Sequence, residues 1–235
     1  MTESRIEAIK RRIRAVEMLR ILAEEMGSGK LADLLGLPTP VVSRYVNGHV
    51  LPKEERVDQI TKLFEDMIRE AIASNISRRG GVLDVTPLLS NVRLLRAIAM
   101  CVAQELSGEV EKVLTKEVDG IPLAVLVSDE LGASLVVAKR RKEPGVEKFY
   151  EVRQMYESGI YSYIYVPKHL LGKGDRVLIV DDIVRSGSTV KALVEVVKKA
   201  RGRVIGVYSV ASVGEAMERL AEEFSFPVRS FVRMI

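Results

Sequence analysis

The sequence predicts an α/β domain with a mostly parallel sheet flanked by helices, preceded by a small all-α domain. Three observations carry this. Apolar β-branched runs alternate with helix-spaced segments through the C-terminal two-thirds of the 235 residues. One run, Val177-Leu178-Ile179-Val180, leads straight into Asp181-Asp182 and a loop of small residues. No β run occurs in the first 75 residues, where apolar side chains recur at helical spacing.

In chain order, Ile6, Ile9, Ile13, Val16, Leu19 and Leu22 mark one face of a first helix, stopped by Gly27-Ser28-Gly29. Lys30 to Leu35 makes a short second helix, and Gly36-Leu37-Pro38 a turn. Thr39 is a suitable N-cap with Pro40 behind it, and the helix ends before Gly48. Pro52 opens a longer helix reaching about Ser74. Ser77-Arg78-Arg79-Gly80-Gly81 reads as a linker, so residues 1–75 and 76–235 are the expected domains.

Beyond the linker, Leu95, Ile98, Ala99, Val102 and Leu106 pattern a helix over 92–106 that contains the single Cys101. Val113-Leu114-Thr115 and Leu135-Val136-Val137-Ala138 are strands on either side of an apolar helix, Ile121 to Leu131. Five of the seven tyrosines lie between 150 and 165, and Tyr161, Tyr163 and Tyr165 alternate as on one face of a hairpin strand. Val177 to Val180 is apolar throughout, as a central parallel strand covered on both faces must be. Val190, Leu193, Val194 and Val197 give the following helix one apolar face, and further strands fall at 204–211 and 228–232.

The segment 177–200 therefore reads strand, loop, helix. Ligands in open α/β sheets bind beyond the carboxyl ends of strands. Arg185-Ser186-Gly187-Ser188-Thr189 then lies at a helix N-terminus, where unpaired N–H groups and the dipole favour an anion. Gly187 allows close approach of the backbone, and Ser186, Ser188 and Thr189 add hydroxyls. Asp181 and Asp182 suit two vicinal ribose hydroxyls, met directly or through Mg²⁺.

This stretch resembles the phosphoribosyl pyrophosphate (PRPP) signature of type I phosphoribosyltransferases. The resemblance implies that family's fold. It assigns the ribose to Asp181 and Asp182, the 5′-phosphate to Arg185, Ser186, Gly187, Ser188 and Thr189, and Mg²⁺ as companion of PRPP. The family's pyrophosphate contacts map onto Lys116, Glu117, Val118, Asp119 and Gly120 after one strand, and onto Lys139 and Arg140 after the next. It also implies a mobile loop over PRPP, for which the Tyr-rich segment stands in the right place.

Residues 31–48 resemble a phage-repressor-like helix-turn-helix. By that resemblance Val42 and Val46 pack inward, Thr39, Pro40, Val41, Ser43 and Arg44 face a DNA major groove, and Asn47 and Lys53 approach phosphates. Charge gives this little support. Residues 1–75 hold 12 Lys and Arg against 12 Asp and Glu, so the net +4 of the chain lies beyond them.

Two readings follow. The preferred one is a homodimeric transcriptional regulator that binds an operator in double-stranded DNA and senses PRPP or a nucleotide. Over nearly the whole chain it is similar to archaeal orotate-phosphoribosyltransferase-like regulators. The alternative is an active purine or orotate phosphoribosyltransferase with an N-terminal dimerisation domain. The preference rests on the lack of any residue set assignable to a nucleobase. No apolar run is long enough to span a membrane, the lone cysteine excludes a disulfide framework, and two histidines offer no zinc site; a cytoplasmic protein is expected.

Overall fold

The computed structural model describes residues 4–79, 82–156 and 158–234. Four helices come first: α1 (Arg5–Met26), α2 (Ser28–Leu35), α3 (Thr39–Val46) and α4 (Glu54–Ser74). Ser4 Oγ caps α1 by accepting from Glu7 N at 3.2 Å. Gly36 closes α2 in the left-handed region (φ 61°), its N–H returning to Ala32 and Asp33 carbonyls. The α3 helix begins one residue earlier than its sequence suggests. Pro38 is the cap and Pro40 sits within the first turn, where a missing N–H costs nothing.

Where a plain linker was expected, β1 (Ser77–Arg79) pairs antiparallel with β2 (Val82–Asp84); Gly80 and Gly81 lie outside the described residues. Next come α5 (Thr86–Ser90), α6 (Val92–Leu106), β3 (Lys112–Lys116), α7 (Ile121–Leu131), β4 (Ser134–Ala138), β5 (Phe149–Met155) and β6 (Tyr161–Pro167). The chain ends with β7 (Arg176–Val184), α8 (Ser188–Lys199), β8 (Arg203–Val213), α9 (Ala216–Glu223) and β9 (Val228–Met234).

The central sheet has the order β4-β3-β7-β8-β9, and every neighbouring pair is parallel. The apolar β7 is its middle strand. Val177 and Ile179 point to one face, Leu178 and Val180 to the other, and all four are fully buried. Hairpin β5–β6 stands apart from the sheet. It is pinned to the end of β4 by reciprocal backbone bonds between Lys139 and Tyr165 (3.0 and 2.8 Å).

Helices α8 and α9 and the hairpin cover one sheet face. The other face packs on α6 and α7, and the N-terminal helices continue that core: Leu19, Phe64 and Ile68 join one cluster with Leu95, Ile98, Leu178 and Tyr208. One buried ion pair ties the layers together. Arg14 of α1 donates to Gln104 of α6 (3.2 Å) and to the Glu130 carbonyl of α7 (3.4 Å), with its Nε 3.5 Å from the Glu130 carboxylate. Arg14→Ala leaves that carboxylate short of a partner in a dry place, and a loss of about 3 kcal/mol in urea unfolding is expected. A loss under about 1 kcal/mol would mean that Arg96, 3.8 Å from Glu130, takes over the pairing.

The α2–α3 pair forms the expected two-helix unit. Thr39, Pro40, Ser43, Arg44, Asn47 and Lys53 are exposed, Val41 is half-buried and Val42 fully buried. Asn47 turns its amide back to the Ser43 carbonyl at 2.8 Å. Among the described residues, no helix is long and apolar enough to cross a membrane.

Candidate active site

A cleft of about 320 Å³ opens at the carboxyl ends of β3 and β7. Its floor is Asp181 and Asp182. The β7 ladder continues through this pair, so the carboxylates belong to the strand rather than to the loop after it: Asp181 stands opposite Ser209, and Ile183 opposite Ala211. This fixes them more firmly than a loop would. Asp181 is 7% exposed, and its Oδ1 accepts from Asp182 N at 3.1 Å.

Burial pushes both carboxyls above the usual carboxylate range. For Asp181, which is the more deeply buried and the more strongly raised, the adjacent Asp182 charge adds to it. Two close carboxylates away from water each make the other's charge costlier.

Gly120, which precedes α7, presses against this floor. A Cβ there would overlap Thr115 Oγ1 and stand 3.2 Å from Asp181 Oδ1. Thr115 Oγ1 itself is buried with no hydrogen-bond partner in the structure. Lys116, Glu117, Val118, Asp119 and Gly120 line one wall, and the Glu117–Val118 peptide is cis. The Glu117 carboxylate accepts from Arg140 N at 2.6 Å, which brings the loop after β4 to the same wall.

The opposite wall is the loop from β7 into α8. Gly187 has φ 81°, a left-handed conformation natural to glycine, and Leu220 of α9 lies 3.0 Å from where a Cβ would be. Glycine is thus required here by packing as well as by approach to an anion. The N-cap Gly187 has no side chain to offer and only a long bond from Ser188 N to Ser186 Oγ (3.4 Å) touches the helix start, so the N-terminus of α8 lies at the cleft beside Ser186, Ser188 and Thr189. Arg185 is exposed at the rim.

Every residue that the sequence assigned to PRPP lines this one cleft except Lys139. The Lys139 ammonium is paired with Glu143 instead, because its backbone is bridged to Tyr165 and its side chain turns along the following loop. Two residues within the Tyr-rich segment, neither assigned a role of its own from the sequence, stand at this site. Tyr156 lines the cleft, its hydroxyl 3.1 Å from Ser162 Oγ and its ring 5.8 Å from the Lys116 ammonium. Hydrogen bonding to Ser162, with the Lys116 charge, lowers the Tyr156 phenol below its ordinary value. Gln154, 1% exposed, bridges Lys116 to the α8 hydroxyls. The signal for Gln154 is its place in β5, on the inward-facing side with Val152. A polar residue on a buried face needs partners.

Among the described residues, no cluster of three or more His, Cys, Asp or Glu could hold a metal by itself. The donor set fits a Mg²⁺ brought by phosphates, which needs one or two protein carboxylates at most. The two carboxylates suit a polyhydroxylated ligand at the floor.

Comparison with known proteins agrees with this geometry. The model of the phosphoribosyl transferase domain family matches residues 84–226. A hypoxanthine/guanine phosphoribosyltransferase of Methanotorris igneus is 30% identical over 159 residues, covering 64% of this chain and 80% of that protein. A xanthine phosphoribosyltransferase of Alkaliphilus metalliredigens is 29% identical over 164 residues, covering 65% and 77%. In fold, the chain is similar to the adenine phosphoribosyltransferase of Rhodothermus marinus (TM-score 0.63, 24% identity, 72% of this chain and 99% of that one).

These findings correct the preferred reading as a DNA-binding transcriptional regulator. The relatives that the chain matches are hypoxanthine/guanine and xanthine phosphoribosyltransferases, which favours the alternative of an active transferase. The physical reason for the error is plain. The phosphate loop and the two carboxylates recognise a ligand and do not record whether that ligand reacts.

Proposed function

The chain belongs to the phosphoribosyl transferase domain family, and on that premise we propose that it is a type I purine phosphoribosyltransferase. It transfers the 5-phosphoribosyl group of PRPP to a ring nitrogen of a purine and releases pyrophosphate. The observation that carries this is the convergence of three separate loops, after β3, β4 and β7, on one cleft with carboxylates at its floor.

The roles follow from position. The N-terminus of α8, with Ser186, Ser188 and Thr189, holds the 5′-phosphate. Asp181 and Asp182 accept from the ribose hydroxyls and fix the ring. Lys116, the backbone of 117–120 and Arg140 hold the pyrophosphate. As the bond from C1′ to pyrophosphate breaks, positive charge grows on the ribose and negative charge on the leaving group. The carboxylates face the first, and Lys116 and Arg140 the second. Mg²⁺, bound with PRPP, neutralises further phosphate charge. Residues 76–235 carry this site in the proposal, residues 1–75 support the sheet from behind, and the assembly is a homodimer.

Pyrophosphate release from PRPP–Mg²⁺ tests the proposal, with hypoxanthine, guanine, xanthine, adenine and orotate offered separately. Turnover is expected with at least one oxopurine. Release with none of the five bases would refute a transferase.

A further inference from the structure

Gln154 sits where two cavities meet. Its Oε1 accepts from Lys116 Nζ at 2.8 Å, and its Nε2 donates to Thr189 Oγ1 at 3.0 Å and Ser188 Oγ at 3.3 Å. One carboxamide thus joins the first residue of the pyrophosphate wall to the hydroxyls of the 5′-phosphate loop. It also fastens β5 to α8. Lys116 is only 8% exposed and forms no ion pair among the described residues, so this carbonyl is the main partner of a desolvated cation. Behind Gln154, between the hairpin and α8, lies a second cavity of about 500 Å³. Gln154 lines this second cavity, while Lys116, Ser188 and Thr189 line the first.

We propose that Gln154 competes with PRPP: its carbonyl occupies the Lys116 ammonium that the phosphates need, and binding drives the carboxamide into the cavity behind. The inference rests on PRPP as the ligand. It follows from the donor arithmetic. The Lys116 ammonium prefers a phosphate oxygen to a neutral carbonyl, since the phosphate adds the attraction of a full opposite charge in a buried place. The Ser188 and Thr189 hydroxyls only accept from the amide, so their O–H groups remain free to donate to a phosphate, and the competition is for Lys116 alone. Release removes one of the ties between hairpin and α8, the others being Lys199 Nζ on the Glu151 carbonyl (2.8 Å) and the shared apolar core, so affinity for PRPP and looseness of the hairpin share one contact. Gln154 is therefore a positioning residue that sets how readily the site accepts its substrate.

Calorimetric titration of the full chain with PRPP–Mg²⁺ tests this. Gln154→Ala is expected to bind about five- to tenfold more tightly, the gain from removing an intramolecular competitor of one hydrogen bond. Gln154→Glu sets a carboxylate against Lys116 and is expected to bind at least tenfold more weakly. A merely structural role would weaken both variants, and Gln154→Ala binding equally or more weakly overturns the proposal. Gln154→Met keeps the buried volume and takes the place of Ala if that variant unfolds. Amide hydrogen exchange across β5 and β6 reads the contact independently of PRPP. Faster exchange in Gln154→Ala is expected, and unchanged exchange overturns the fastening role. Failure of the wild-type chain to bind PRPP while that exchange still accelerates would refute PRPP as the ligand, and the competition with it, but leave the fastening standing.

Discussion

Asp181→Asn is expected to lower PRPP-dependent turnover by about 10²–10³-fold and, at neutral pH, to make the protein more stable. The two effects have one cause. Asp181 is held in a buried place beside a second carboxylate, where its charged form is disfavoured. Asparagine keeps the Oδ1 that accepts from Asp182 N and removes the charge. The sign of the pH dependence follows. Because the folded-state pKa is raised, the folded protein holds more protons than the unfolded chain between the two values. Wild-type stability therefore falls as pH rises from the ordinary carboxylate range through the raised value, then levels off. The asparagine variant lacks that fall. Its advantage should be absent in acid and reach about 0.5–2 kcal/mol above the window, worth about 2–4 °C in Tm per kcal/mol for a chain of this size. Thermal melts at several pH values, run beside the turnover assay, decide both halves. A less stable variant at neutral pH would show that Asp181 is better solvated than its burial implies. Unimpaired turnover would remove it from the ribose site.

Gly120→Ala is the second substitution with a large expected effect. The backbone there has φ −72°, which any residue adopts, so the penalty is purely steric. The new methyl meets Thr115 Oγ1 and crowds Asp181. Relief requires α7 or the carboxylate to move, and a shift near 1 Å in a reacting site is worth about 10²-fold in rate. Overpacking should also cost about 1–3 kcal/mol of stability. The companion Thr115→Ala opens the space, so the double variant should recover most of that stability. A double-mutant cycle showing no coupling would place the damage elsewhere.

Much of this architecture was legible in the sequence, for reasons that differ from residue to residue. The helices 92–106 and 121–131 have long, clear apolar patterns, and the structure bounds them at those residues. Val177 to Val180 announces a central strand because both its faces are apolar. The continuation of β7 through Asp181 to Val184 was not legible. Acidic residues are poor strand formers, and only the ladder to β8 holds them there. Lys139 was placed on the cleft by its position after a strand, but side-chain direction is decided by tertiary pairing, here with Tyr165 and Glu143. Helix α9 escaped notice because it is short and its buried residues are few, Ala216, Met217 and Leu220. The nucleobase contacts left no local pattern, so the choice between sensing and catalysis had no residue to rest on.

The contact between Arg14 and Glu130 has a consequence for how the molecule comes into being. It joins residues 116 apart in the chain. During synthesis the first four helices emerge well before α6 and α7 exist to receive them. Until then Phe64, Ile68 and Ile72 of α4 lack much of their cover. The nascent chain therefore carries a sticky helical leader from the end of α4 at Ser74 until α7 is complete at Leu131. Its safe passage depends on how slowly those helices find one another's copies and how soon α7 arrives.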